Sequence, residues 1–363
     1  MSDNFIRFRS ILKMLKKLYP VELKGNQVRR LTTMAALISG IIGSKSCQLP
    51  KASCNVTDGI KPESRVKKFY RLIKNKQFDY ETFFMPYAKA LLSCLGQGTL
   101  AFVIDGSTVA RNCISLIASV IYKNRALPIC WITITGGKGH LPEEFHIKLV
   151  KQLHQVVPDN ITLVFLADGE FDGAILLKTI KSYNWLFACR TCKNRLLIEN
   201  EELFSFRNID PGNEEHFRIP DVFLKDHPDF QCHAVLWWQR TYKEPVYLFT
   251  NIDLAYEATY WYKKRYRIET MFSDKKSRGF HLHKSHIADP ERVDRLLIVA
   301  SLAYIFIICF GIYAVKNGFD KIIHRTDRCD LSLCQLGYRL LDYLISKKRG
   351  LPVFKQLYLF ANP

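Results

Sequence analysis

Apolar residues recur at helical spacing through the first hundred positions of the chain. Segments 5–20, 28–43 and 63–77 predict helices. In the third, Val66, Phe69, Tyr70 and Ile73 form one stripe, and Lys67, Arg71 and Lys74 form a basic one. The pattern then changes. Apolar runs at 101–104, 114–122, 126–135 and Thr162–Ala167 predict buried strands, with helices over 143–157 and 173–183. WLFACRT, RLLIENEELFSF, CHAVLWWQRTY and VYLFTNI follow, separated by stretches rich in Asn, Asp, Pro and Gly, and predict a run of further strands. Residues 262–276 read as a helix. Residues 296–315 are apolar apart from Ser301 and are long enough to span a bilayer. Tyr304, Gly311 and Tyr313 within this run, and the charge crowded before it, predict a buried core helix instead. The tail from Lys316 onward reads as helical.

Charge sharpens this picture. The 363 residues carry a formal net charge of +19. Residues 1–99 hold 18 Lys and Arg against 6 Asp and Glu, so 12 of those 19 positive charges fall in the first quarter. Such an excess suits a polyanionic partner, because neutralising phosphates releases condensed counterions. Eleven cysteines, an odd number without framework spacing, suit a reducing cytoplasm. Cys189 and Cys192 form a CxxC with Cys232 and His233 downstream, but the spacing is not that of a zinc ribbon or knuckle. His281, His283 and His286 form a further cluster, read as local packing or nucleic-acid contact.

The candidate chemistry lies in YKKRYRIETMFSDKK. On a helix at 100° per residue, Tyr262, Arg265, Glu269 and Lys276 fall within roughly 60° of one another. One face then carries a carboxylate flanked by a guanidinium, an ammonium and a phenol. A carboxylate can ligate a divalent cation, and the cations beside it can grip phosphate oxygens. Two more acids, Asp105 and Asp168, end apolar runs and are each followed by Gly, which predicts a turn at a strand end. Glu170 and Asp172 are nearby alternatives to Asp168. The order β-β-β-α-β-α, with acids on the first and fourth strands and a later acid on a helix, is that of ribonuclease H-like nucleotidyl transferases.

The pattern Y-x2-R-x3-E-x6-K, with the two aspartates, resembles the DDE transposases of the insertion-sequence-four group. The likeness runs from 66–84 to about Ala314 and includes GGKGHLPEEFH and LFTNIDL. It implies an α/β fold, with a ribonuclease H-like catalytic core interrupted by a β-rich insertion, an N-terminal all-helical region and a helical C-terminal tail. The expected divisions are a DNA-binding region at 1–99, core at 100–185, insertion at 186–250, core at 251–315 and tail at 316–363. The resemblance implies that Asp105, Asp168 and Glu269 are the catalytic, metal-binding triad for two Mg2+ ions, with Mn2+ able to substitute. Tyr262, Arg265 and Lys276 would contact the DNA backbone, and the N-terminal helices, with Lys67, Arg71 and Lys74, would bind terminal repeats. An insertion aromatic, Trp238 with Trp237 and Tyr247 as rivals, would stack on a flipped base. The implied partners are double-stranded DNA, as transposon ends and as target, and a second copy of the chain in the DNA complex, with no membrane. The implied setting is a prokaryotic cytoplasm. The implied reaction is nicking, hairpin formation and strand transfer. A transposase-derived DNA-binding regulator and a ribonuclease H-like nuclease are the alternatives; the regulator would have lost the acids, and the nuclease would lack the Tyr-Arg-Glu-Lys face.

Overall fold

The computed structural model describes the chain except for residues 1, 20–22, 97, 138–140, 210–214, 240, 277–278 and 353–363. Helices come first: α1 (Asp3–Leu18), α2 (Asn26–Ser44), α3 (Leu49–Cys54), α4 (Pro62–Lys74), α5 (Tyr80–Phe83) and α6 (Met85–Leu95). On α2, Leu31, Met34, Leu37, Ile38 and Ile41 are buried, as the helical period requires. On α4, Phe69 and Ile73 are buried and Lys67, Arg71 and Lys74 are exposed. Tyr70 departs from its expected stripe. It is exposed, and its hydroxyl accepts from Arg292 at 2.6 Å. Arg65, outside the basic stripe, turns inward. It is buried, with its guanidinium on the Asp58 carboxylate at 2.7 Å and on the Ile60 carbonyl.

A mixed α/β architecture follows, built on one ten-stranded sheet. β1 (Thr99–Ala110), β2 (Cys113–Tyr122) and β3 (Arg125–Thr135) form an antiparallel meander. Then α7 (Glu143–His154) leads to β4 (Thr162–Ala167), parallel to β1, and α8 (Ala174–Ser182) leads to β5 (Leu186–Thr191), parallel to β4. Parallel neighbours need such crossovers, which explains the change from period 2 to period 3.6 and back. The turn expected after Asp105 does not form. β1 runs on to Ala110 because it stays paired with β2 as far as Cys113, and the chain reverses at Asn112 with φ of 52°.

The strand at Leu186, expected to open the insertion, belongs to the main sheet through its parallel pairing with β4. β6 (Leu196–Glu199), β7 (Glu202–Ser205), β8 (His216–Leu224), β9 (His227–Trp237) and β10 (Val246–Thr250) extend that same sheet. β10 pairs antiparallel with β5, which gives β9 an edge to join. β8 carries His216, Arg218, Pro220 and Asp221 and shifts register between Ile219 and Val222, so it lacks the unbroken apolar run by which the main-sheet strands are visible.

The expected single helix over 262–276 is two helices, α9 (Ala255–Tyr262) and α10 (Arg267–Lys275). Between them the backbone tightens to i→i−3 hydrogen bonds, Arg265 N to Tyr262 O at 2.9 Å and Ile268 N to Arg265 O at 3.2 Å. A tightened turn has about three residues per turn, so a 100° wheel drawn through it loses register. α11 (Pro290–Lys316) is the long apolar helix. It is long and apolar enough to cross a membrane, yet 94% of its most apolar stretch is buried inside the molecule. α12 (Asp320–Ile323) and α13 (Leu333–Ser346) complete the described chain, and expected tail residues 353–363 lie outside it. α13 crosses α11 so closely that a Cβ on Gly311 or Gly337 would run into the carbonyl oxygen of Leu333 or Ile307.

Candidate active site

Register brings the first two acids together. Val103 of β1 pairs in parallel with Leu166 of β4, the last pair before β4 ends at Ala167. Asp105 and Asp168 both stand two residues farther on, level with one another on strands about 4.8 Å apart. Each carboxylate accepts the backbone N–H of the following Gly at 2.7 Å, and Asp168 caps a short 3-10 turn.

The elbow between α9 and α10 supplies the rest. It directs the Arg265 guanidinium among three carboxylates, at 3.9 Å from Asp105, 3.6 Å from Asp168 and 3.2 Å from Glu269. Tyr262 is buried beside it, hydrogen-bonded to Arg265 and within the fields of Asp168 and Arg190. Burial raises the Asp105 carboxyl to about 6, against the opposing pull of Arg265 and of the Gly106 N–H. Burial also works against the Arg265 charge, but Asp168, Tyr262, Asp105 and Glu269 outweigh it, and the guanidinium is held more firmly protonated than usual. Lys276 follows the last turn of α10, where its φ and ψ of −95° and −92° are no longer helical, with its ammonium 5.9 Å from the Phe272 ring.

The alternative acids are engaged elsewhere. Glu170 accepts the Leu141 N–H at 2.8 Å and faces His146 at 3.8 Å, while Asp172 accepts the Thr191 hydroxyl at 2.6 Å. Asp168 is therefore the acid beside Asp105. Arg190, on β5 beside Tyr262, is a site cation that the sequence reading missed, because only the parallel pairing of β5 with β4 brings it there. Of the insertion aromatics, Trp237 is buried with the Lys263 ammonium over its ring at 4.5 Å, and Tyr247 is half-buried. Trp238 is 43% exposed, its indole N–H donating to the Tyr242 carbonyl. Cys189 is buried and Cys192 exposed.

Three carboxylates converging on one cation fit a hard divalent ion in donor type. As the side chains stand they surround a guanidinium. Among the described residues no group of three His, Cys, Asp or Glu is placed to hold an ion.

Glu269 is held in place by what anchors α10 from below. Met271, Asp274 and Lys275 are buried; the Arg125 guanidinium lies 3.9 Å from Asp274, and the Lys275 ammonium donates to Ser301 of α11 at 3.0 Å. Burial pushes the Lys275 ammonium from 10.5 down to about 7, with Cys47 pulling the other way. The unfolded chain therefore holds a proton between pH of about 7 and 10.5 that the folded chain lacks, so this group makes stability rise with pH across that window, by at most about 1.4 kcal/mol per unit. In Lys275→Met that contribution to the rise disappears, and the variant gains most over wild type at and below pH 7. Denaturant unfolding at several pH values checks this, and parallel wild-type and variant profiles would refute it.

Comparison with known proteins adds three findings. The family model described as Transposase DDE domain matches residues 98–306, more than half of the chain and all of the segment holding the three acids. No curated protein matches the chain. Among solved structures, a cryo-EM structure of the piggyBac transposase synaptic complex with hairpin DNA is similar at 11% identity, covering 99% of this chain and 84% of that one with a TM-score of 0.45.

Proposed function

The chain belongs to the transposase DDE domain family, and we propose that it is a transposase of the insertion-sequence-four group with a ribonuclease H-like core. The observation that carries this reading is the meeting of Asp105, Asp168 and Glu269 around Arg265. The strand order β3-β2-β1-β4-β5, with β4 and β5 parallel to β1, supports the assignment of the core. Asp105, Asp168 and Glu269 are the residues that would hold two Mg2+ or Mn2+ ions. Such ions, when bound, polarise phosphoryl oxygens and make water or a 3′-hydroxyl acidic enough to attack.

The chain's own residues supply the grip on DNA. Arg265 has two possible sets of partners, the carboxylates it now faces and a backbone phosphate. Its planar fork suits both, and turning to the phosphate opens the acids to a metal. Tyr262 orients that fork, and Lys276, beyond the end of α10, adds a second cation for the terminal phosphate. Trp238, exposed while its neighbour Trp237 is core, is the aromatic suited to stack on an unpaired base. The proposed sequence is a nick at the element end, attack of the freed 3′-hydroxyl on the opposite strand to give a hairpin, opening of that hairpin and joining to target duplex. The chain acts as a homodimer on paired ends, in the cytoplasm.

The test uses end-labelled duplex taken from the DNA flanking the coding sequence, incubated with protein and Mg2+ and resolved on denaturing gels. A nick followed by a hairpin is expected. Flush breaks without a hairpin would remove the hairpin step, and equal cutting of an unrelated duplex would favour a plain nuclease.

A further inference from the structure

α2 and α4 lie side by side, and between them is a cleft of about 330 Å³. Arg29 and Arg30 of α2 form one wall, and Lys68 and Arg71 of α4 form the other, with Thr33 and Asn75 as neutral lining. Lys68 and Arg71 are three residues apart and so share a helix face. No lining residue is acidic. Among the described residues, Lys68 has a carboxylate neighbour, Asp58 at 3.8 Å, whereas neither Arg29 nor Arg71 lies in an ion pair. Arg30 donates to the Gln77 side-chain oxygen, a neutral partner.

Four cations around one trough repel one another, and here a single carboxylate offsets them. Aspartates or glutamates on the facing helices would relieve that repulsion; the lining has cations, Asn, Thr and Leu instead. Three of the four cations are arginines, whose planar fork matches phosphate oxygens in pairs, and the Asn and Thr side chains can add neutral hydrogen bonds. The α4 stripe of Lys67, Arg71 and Lys74 is only the outer edge of this arrangement. Its inner edge, Arg29 and Arg30, comes from α2, whose cations the sequence reading did not single out.

We propose that the α2–α4 cleft is a binding site for the phosphate backbone of duplex DNA, with Arg29, Arg30, Lys68 and Arg71 as its contacts. This rests on the reading of the chain as a DNA-acting transposase, but it concerns a site separate from the carboxylates. Bound backbone phosphate releases counterions, so each contact adds a salt dependence that can be counted.

The experiment is fluorescence anisotropy of the full-length protein with a 30-base-pair duplex of arbitrary sequence, in EDTA, across a salt series. Arg29→Ala combined with Arg71→Ala should weaken binding about tenfold and flatten the slope of log affinity against log salt by about 1.8, two contacts' worth. Arg29→Lys with Arg71→Lys should keep most of the slope, which excludes misfolding as the cause. Lys347→Ala with Lys348→Ala, which removes equal charge from exposed positions after α13, is the comparison. If the cleft variant loses no more affinity or slope than that comparison, the cleft is not the site. Because EDTA suppresses catalysis, this failure is distinct from failure of the transposase reading. Wild type that binds through the cleft yet never cuts end DNA in Mg2+ would sink the enzyme and spare the cleft.

Discussion

Asp105→Asn, Asp168→Asn and Glu269→Gln each lower strand cleavage by at least about a thousandfold while duplex binding changes by less than about twofold. Each substitution replaces one carboxylate oxygen by an amide nitrogen of nearly the same size. The Asn oxygen at 105 or 168 can still accept the neighbouring Gly N–H, so the local turn geometry survives. What is lost is one of three negative charges gathered within 4 Å of a single guanidinium. A donor NH2 in its place repels any cation that the other two attract. The three act as a unit, so pairs of substitutions should cost little more than one. Denaturing gels of labelled end duplex measure the first effect and gel shifts the second. Calorimetric titration with Mn2+ adds a readout independent of turnover, in which every one of the three variants binds the ion more weakly. Any variant that cleaves like wild type is thereby excluded from the triad.

Arg265→Ala produces the second large effect, and it acts in opposite directions on metal and on DNA. In the metal-free protein Arg265 is the counter-charge that lets three carboxylates share one place. Without it they repel one another, and a divalent cation relieves that repulsion. A ligand that binds only the folded chain stabilises it by mass action, so adding Mg2+ should raise the melting temperature of Arg265→Ala by at least about twice the wild-type increment. DNA cleavage should still collapse, because the proposed phosphate clamp is gone. Arg265→Lys should lie between the two, since an ammonium restores the charge but not the fork. Thermal melts with and without Mg2+ decide the matter. Equal Mg2+ increments in wild type and Arg265→Ala would show that the guanidinium does not compete for the acids.

Much of the site is legible in local pattern. The apolar run ending before Asp168 is β4 residue for residue, Thr162–Ala167, because a short run buried on both faces has no other way to hide. The long apolar helix was recognisable as core from its interrupting Ser, Gly and Tyr residues, and in the fold it is buried. The spacing of Tyr262, Arg265 and Glu269 identified side chains that do meet, although the helix meant to align them is broken. The elbow's i→i−3 bonds place Arg265 among the acids, and no wheel drawn on the sequence contains them.

Other decisions belong to contacts distant in the chain. Sequence alternation told that one of Trp237 and Trp238 faces inward; pairing of β9 with β10 and packing on the α9–α10 elbow decided that it is Trp237. Tyr70 fits an apolar stripe, yet Arg292, more than two hundred residues away, holds it at the surface. Glu170 and Asp168 are two residues apart and alike in chemistry. The loop before α7 claims one, and the parallel register of β1 with β4 sets the other beside Asp105. Periodicity records which side of its own element each residue prefers, since burial of apolar area is a local preference repeated along the chain. It holds no record of which strands become neighbours, at what register, or where a helix tightens, because those are settled by pairings between segments that meet only after folding. By itself, then, the sequence of this protein marked Asp105, Asp168 and Glu269 as candidates, with Tyr262 and Arg265 as their companions, but neither the break between α9 and α10 nor the place of Arg190. The tertiary structure alone decided that Asp105 and Asp168 stand level, that Arg265 reaches both and Glu269, and that α2 turns two arginines toward α4.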